Sequence, residues 1–254
     1  MPALTPRGPI PGTLRRVGHK GADLIEPGNT RESFDAALEH GVDMIEFDVL
    51  PALGSDGRPD PAGGELLLAH DYGDVAARTP LTLEEGLAHL TRPEFGQLEF
   101  DVDLKIPGYE RRVVELLRAH DLVERSLVSS TYPQSLDRIR ALEPGLRLGW
   151  SVPRARRDYT QSRLYVVPAL AALQVGRRIL PGRAGDALRA GRCDAFMVHW
   201  RLVTARLVDA VREARGELYV WTVDEAPRIR ALEALGVTGV ITNDPRLFGA
   251  RAVA

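Results

Sequence analysis

Short β-rich runs alternate with amphipathic helices along nearly the whole chain, and that alternation narrows the choice of folds more than any other property. Eight runs have parallel-strand character: RRVGH (15–19), MIEFDV (44–49), LEFDVDLK (98–105), SLVSS (126–130), RLGWSV (147–152), AFMVHW (195–200), LYVWTV (218–223) and GVITN (239–243). Between them lie helical stretches. TRESFDAALEHG has Thr30 at its N-cap and Gly41 just past its end. TLEEGLAHL, YERRVVELLRAHD, YPQSLDRIRALEPG, TARLVDAVREARG and EAPRIRALEALG keep the same period. Strands alternating with helices predict a parallel sheet. Eight such units in 254 residues fit a closed α/β architecture, the TIM (β/α)8 barrel, better than an open sheet.

A ninth run, ELLLAH (65–70), needs separate treatment. It follows PALGSDGRPDPAGG, which cannot form the helical crossover that a parallel neighbour requires. The expected solution is a β-hairpin extension after strand 2, with ELLLAH returning antiparallel and carrying His70 back to the barrel mouth. Residues 153–193 are rich in Arg, Pro and Gly and are expected to be irregular, with a short extra helix near Leu164–Arg178. The chain then divides into an N-terminal tail, 1–14, and a single barrel domain, 15–254.

Composition excludes several classes. A net charge of −2 gives no electrostatic reason to bind nucleic acid. The single cysteine, Cys193, rules out an intrachain disulfide framework and a Cys-rich zinc site. The longest apolar stretch, Leu164 to Val175, is interrupted by Pro168 and is too short to span a bilayer. The first sixteen residues, MPALTPRGPIPGTLRR, carry prolines where a signal peptide needs an apolar core, so a cytoplasmic location is expected.

Barrel active sites form at the C-terminal ends of strands. Those ends bring His19 and Lys20, then Glu46 and Asp48, then Asp101, Asp103 and Lys105, with His70 and Asp71 closing the hairpin. Glu46 and Asp48 are two apart on a strand and share a face with Met44, while Ile45, Phe47 and Val49 point outward. Two carboxylates side by side inside a barrel repel each other and lose hydration. A hard divalent cation, with Asp103 as a third ligand, would compensate them. A buried ion-pair network of Lys105 with Asp101 or Asp103, and an arginine for Glu46, would do so too. The strand pattern alone does not choose.

His40, His89 and His120 fall near helix C-termini, where an imidazole suits the dipole and needs no further role. His199 ends a strand beside Trp200 and Arg201 and is expected to line the pocket. Of 33 basic residues only Lys20 and Lys105 are lysines, and both fall at the expected mouth. Lysine is a compact point charge suited to phosphate oxygens. A metal, two lysines and two histidines around one cavity describe a site for a phosphoryl group, with one histidine taking a proton and the other giving one.

At this point the chain resembles the glycerophosphodiester phosphodiesterase family. GHKGAD (18–23), PGNT (27–30), MIEFDV (44–49), LLLAHD (66–71), DVDLK (101–105), VWTVD (220–224) and ITNDP (241–245) follow the order of that family's HRG, PENT, IE-x-D, HD, E-x-K, WTV and TD-x-P elements. The resemblance spans about residues 15 to 248. It implies a barrel that hydrolyses a small-molecule phosphodiester with one divalent cation, Mg or Ca. His19 and His70 would be the general acid/base pair, and Glu46, Asp48 and Asp103 the metal ligands. Lys20 and Lys105 would hold phosphate, Asn29 would contact phosphate or a ligand oxygen, and Trp221 would form an apolar wall.

Three positions depart from the family pattern. The arginine of HRG is Lys20, which keeps the charge without the bidentate fork. The glutamate of PENT is Gly28. A family glutamate becomes Asp103, as in the Asp-x-Lys of the related sphingomyelinase D enzymes. The segment between His-Asp and the next strand is also short, which opens the mouth. Three rival functions follow: a lysophospholipase D-like enzyme making transient contact with lipid, a non-catalytic phosphodiester-binding barrel, and a sugar-phosphate isomerase on the same fold.

Overall fold

A computed structural model of the chain describes residues 13–153 and 166–249. Eight parallel strands close into a barrel: β1 (Arg15–Gly18), β2 (Met44–Pro51), β4 (Glu99–Leu104), β5 (Ser126–Ser130), β6 (Arg147–Val152), β7 (Ala195–His199), β8 (Glu217–Trp221) and β9 (Gly239–Thr242). The order runs β1-β9-β8-β7-β6-β5-β4-β2, and a β1–β2 pairing completes the circle. The ninth strand, β3 (Leu66–Leu68), pairs antiparallel with the far end of β2 through Val49↔Leu68 and Pro51↔Leu66. It occupies the edge of β2 above the point where β1, paired only at Met44 and Ile45, leaves it free. The hairpin expected after strand 2 is therefore present.

Helices α1 (Arg31–Glu39), α2 (Tyr72–Ala77), α3 (Leu83–Leu90), α4 (Glu110–Ala119), α5 (Pro133–Leu142), α6 (Val166–Arg189), α7 (Ala205–Glu213) and α8 (Ala226–Leu235) wrap the sheet. Local chemistry sets several of their ends. Thr30 caps α1 in a capping box with Ser33, and Thr82 caps α3 in the same way with Glu85. Asp71 caps the short α2 by accepting from the N–H groups of Gly73 and Asp74.

Residues 153–193, expected to be irregular with one short helix, are instead dominated by α6, whose 24 residues reach Arg189. Pro168 falls in its first turn, where a missing N–H costs nothing. Pro181 lies inside the helix. The helix continues because Leu180, Ala184, Ala187 and Leu188 form a buried stripe at helical spacing, packed in the main core. The earlier part of the expected helix, 164–165, lies outside the described residues. Among the described residues no helix is long and apolar enough to cross a membrane.

The two faces of the sheet carry different chemistry. Ile45, Phe47 and Val49 point outward into the large core under the helices. Val17, Met44, Leu127, Ala195, Met197, Tyr219 and Ile241 fill the barrel interior. Below that apolar layer lies an ionic one, and above it the candidate site. In the lower layer Glu99 pairs with Arg15 and accepts from Arg147 at 2.6 Å, and Arg147 reaches Glu217 at 2.6 Å. Arg15 and Glu217 stand two residues before the inward-facing Val17 and Tyr219, and Glu99 stands two before Asp101.

Burial alone would raise the pKa of Glu99, but hydrogen bonds and charge from Arg15 and Arg147 hold it below the ordinary carboxylate range. Its contribution to stability is thus complete at neutral pH and fades as pH falls through the acidic range. Glu99→Ala leaves two guanidinium groups facing one another, and it is expected to cost about 2–4 kcal/mol at pH 7. Urea unfolding checks this. The difference between wild type and variant should shrink below about pH 4; a constant difference would show that the loss is one of packing.

Candidate active site

The acidic residues converge because β2 and β4 are neighbours in register. Glu46 lies opposite Asp101 and Asp48 opposite Asp103. One carboxylate oxygen from each of Glu46, Asp48 and Asp103 lies within 4.8 Å of the others. Oxygen ligands about 2.0–2.6 Å from a hard cation stand at such separations, so the donor set fits Mg or Ca. Asp48 is fully buried, Glu46 nearly so, and Asp103 faces the mouth.

Lys105 bridges two of the three acids. Its Nζ is 2.6 Å from Asp103 Oδ2 and also contacts Asp48 Oδ1. Burial disfavours its charge, but Asp103, Asp48 and Glu46 outweigh that and hold it well above the ordinary lysine value. Burial likewise opposes the ionised form of Asp48, and Lys105, His19 and His70 overcome it, so its pKa is lowered. Glu46 is treated differently. Among the described residues its carboxylate accepts the Lys20 N–H at 2.9 Å and stands 3.8 Å from His19 Nε2, with no lysine or arginine of its own. Burial, and then the charge of Asp48, push its pKa well above the ordinary range. Part of the alternative ion-pair network thus exists around Lys105, while among the described residues Glu46 has no lysine or arginine at ion-pair distance. A cation held by these carboxylates would favour the ionised form of Glu46 that burial and Asp48 now oppose.

Asp101 sits one layer deeper, fully buried, with no well-formed hydrogen bond to either oxygen. Burial, followed by Asp103, pushes it up to about 8, against smaller pulls from Ser129 and Lys105.

His19 ends β1, with its N–H on the Thr242 carbonyl at 2.8 Å. Its Nδ1 lies 2.5 Å from Asn243 Oδ1. Burial lowers its pKa, with Lys20 and Lys105 adding to the effect and Asp48 opposing it. His70 follows β3 on the returning arm. Its ring is about half exposed, its Nδ1 is 3.2 Å from Asp71 Oδ2, and its charge acts on Asp48. The two imidazoles therefore sit in unlike settings.

The turn after β1 is strained where it meets the site. Lys20 and Asn29 both adopt left-handed backbone (φ 51° and 60°), unusual for residues other than glycine. Gly21 (φ 87°) must be glycine, since a Cβ there would lie 2.5 Å from the Ser33 carbonyl oxygen. Asn29 is bonded to Asp48 at both ends of its amide. It is fully buried, its Nδ2 donates to Asp48 Oδ2 at 2.9 Å, and its Oδ1 accepts the Asp48 N–H at 3.1 Å. Asn29 thus positions Asp48.

Lys20 Nζ is held 3.0 Å from Asp23 Oδ2. Burial disfavours its charge, while Asp23, Asp48 and Glu46 raise its pKa overall. The glycine at position 28 makes room for that partner: a Cβ on Gly28 would come within 2.4 Å of Asp23 Oδ1, which accepts the Gly28 N–H.

On the opposite rim His199 stacks near Trp200 and meets Trp221 edge-on, with ring centroids 5.3 Å apart. Two features escaped the sequence reading. Tyr109, from the start of α4, donates to the Val49 carbonyl and accepts the Lys105 N–H, tying the end of β4 to β2. Asn243 and Asp224 contact each other and, through Asn243, His19. Asn243 was discoverable by phase, since it lies two beyond the inward-facing Ile241.

A parallel barrel with three clustered carboxylates and two histidines at its C-terminal face has the groups a hydrolase needs. Comparison with known proteins gives the family. The model of the glycerophosphoryl diester phosphodiesterase family matches residues 92–247. A glycerophosphodiester phosphodiesterase of Caldanaerobacter subterraneus subsp. tengcongensis is 23% identical over 265 residues, covering 90% of this chain and 93% of its own. Among solved structures, a glycerophosphoryl diester phosphodiesterase from Agrobacterium tumefaciens superposes with a TM-score of 0.70 at 21% identity, over 93% of this chain and 96% of its own. A phosphodiesterase from Oleispira antarctica, solved with its product sn-glycerol-3-phosphate, superposes with a TM-score of 0.66 at 20% identity, over 91% and 94%. The chain belongs to the glycerophosphoryl diester phosphodiesterase family, a family of phosphoric diester hydrolases.

The raised Asp101 gives a test of the acidic layer. Between the ordinary carboxylate range and about pH 8 the folded chain holds a proton that the unfolded chain has released. Stability should fall as pH rises across that window. In EDTA, Asp101→Asn is expected to stabilise the protein by at least about 1 kcal/mol more at pH 9 than at pH 4, as one pKa unit is worth about 1.4 kcal/mol. Thermal melts at the two pH values measure this, and equal effects at both would mean that Asp101 is ionised throughout.

Proposed function

We propose that this chain hydrolyses glycerophosphodiesters to glycerol 3-phosphate and an alcohol, using one divalent cation, Mg or Ca, and proton transfer by His19 and His70. The observation that carries the proposal is the convergence of Glu46, Asp48 and Asp103 within 4.8 Å of one another, with His19 Nε2 3.8 Å from Glu46. Family membership supports the choice of substrate.

Glu46, Asp48 and Asp103 would hold the cation, which when bound neutralises phosphate charge and acidifies the attacking hydroxyl. Asn29 keeps Asp48 aimed inward, and Tyr109 keeps the β4 end in place. Lys20 and Lys105 stabilise charge on the non-bridging oxygens as the P–O bond to the leaving alcohol lengthens. One imidazole takes the proton of the attacking hydroxyl, and the other gives a proton to the departing alkoxide. The products are a phosphomonoester and an alcohol. Trp221 and His199 form the wall facing the organic part of the substrate.

The test is turnover of glycerophosphocholine and of lysophosphatidylcholine with Mg, with Ca, and in EDTA. Release of glycerol 3-phosphate that depends on the metal is expected. His19→Ala and His70→Ala should each lower kcat at least about 100-fold without altering the circular dichroism spectrum. Undiminished turnover in EDTA would remove the cation from the mechanism, and a variant with near-normal kcat would remove that histidine. Cleavage of the lysolipid alone would move the substrate to lysophospholipids. Tight binding without turnover would leave a binding protein.

A further inference from the structure

The relay behind His19 contains a neutral amide, and the direction of that amide decides where the imidazole carries its proton. Asp224 follows β8. Its Oδ1 accepts from Thr242 Oγ1 at 2.9 Å and from the Asn243 N–H at 2.8 Å. Its Oδ2 accepts from Asn243 Nδ2 at 2.7 Å. A carboxylate oxygen can only accept here, so the amide nitrogen of Asn243 must face Asp224. The amide oxygen is then turned to His19 Nδ1, 2.5 Å away. An amide oxygen has no proton to give, so Nδ1 must be the donor.

We infer that Asp224, acting through Asn243, holds neutral His19 in the Nδ1–H tautomer and leaves Nε2 as its proton-accepting atom. Nε2 is the nitrogen on the Glu46 side, 3.8 Å from that carboxylate, so the bare lone pair faces the acidic trio. Within the reaction proposed above, on which this assignment of roles rests, His19 is the base and His70 the acid. Asn243 and Asp224 are positioning residues: neither lies between the imidazole and the trio, and each acts by orienting a neighbour.

The backbone reinforces the arrangement. The His19 N–H donates to the Thr242 carbonyl, and β1 pairs with β9 through Gly18↔Thr242. Ring and amide are therefore mounted on adjacent strands in fixed register. Asp224 receives its bonds from consecutive residues, Thr242 and Asn243, so it reads the end of β9 as a unit.

The test is nitrogen NMR of 15N-histidine-labelled protein in EDTA, at a pH where the ring is neutral. Long-range ring correlations report which nitrogen carries the proton, with no need for turnover. Wild type should show a protonated Nδ1 and a bare Nε2. Asn243→Ala and Asp224→Ala should give mixed tautomers and lower kcat roughly 10–100-fold with KM little changed. The exchanged pair, Asp224→Asn with Asn243→Asp, keeps a donor facing an acceptor and should restore the Nδ1–H tautomer. A wild-type ring protonated at Nε2 would overturn the inference, as would an unchanged tautomer and kcat in both alanine variants. If the tautomer is as stated but no phosphodiester is cleaved, the proposed reaction fails and the relay stands.

Discussion

Three carboxylates confined to the mouth of a narrow barrel are the constraint around which the rest is arranged. Each would be hydrated in water. Here Asp48 is fully buried and Glu46 nearly so, and the register of β2 and β4 forces them beside Asp101 and Asp103. Such a cluster persists only if every neighbour is chosen to oppose it. Lys105 neutralises Asp48 and Asp103, Asn29 gives Asp48 both a donor and an acceptor, and the Lys20 N–H reaches Glu46. The left-handed backbone at Lys20 and Asn29 is the local strain that brings these groups inward.

The barrel keeps two charged layers apart. The lower network of Arg15, Glu99, Arg147 and Glu217 has opposite charges facing each other. The upper layer is acidic in excess. Val17, Met44, Leu127, Tyr219 and the other inner apolar residues separate them. The lower layer closes the barrel floor with its charges satisfied. The upper one has more carboxylates than cationic partners, an imbalance that a bound cation would relieve in the proposed reaction.

The strands, the hairpin and the acidic trio were legible because each rests on local period or spacing. Alternation at 44–49 placed Glu46 and Asp48 on one face, and a linker unable to cross over forced ELLLAH to return. The long α6 was hidden because Pro181 interrupts the propensity signal, while its buried stripe of Leu180, Ala184, Ala187 and Leu188 is a tertiary fact. The pairing of Asn29 with Asp48 was hidden for a related reason: it depends on a left-handed backbone angle, and asparagine tolerates that angle without announcing it. The approach of Asp23 to Lys20 depends on the missing Cβ at Gly28, a steric vacancy that no motif records.

The two histidines are mounted in ways that suit different tasks. His19 is held at two points: by its backbone on β9 and by Asn243 at Nδ1. In the proposed reaction the proton acceptor would meet a nucleophile whose position a bound cation fixes, and a rigid mount would keep that geometry. His70 hangs beyond a three-residue strand, half exposed, with Asp71 and Asp74 as its polar neighbours. A proton donor to a departing alcohol faces a group that varies with the substrate and must leave. A ring with room to move, in contact with water that can return its proton, accommodates that requirement. On the proposed mechanism, the contrast in mounting would match the division between a fixed attacking side and a variable leaving side.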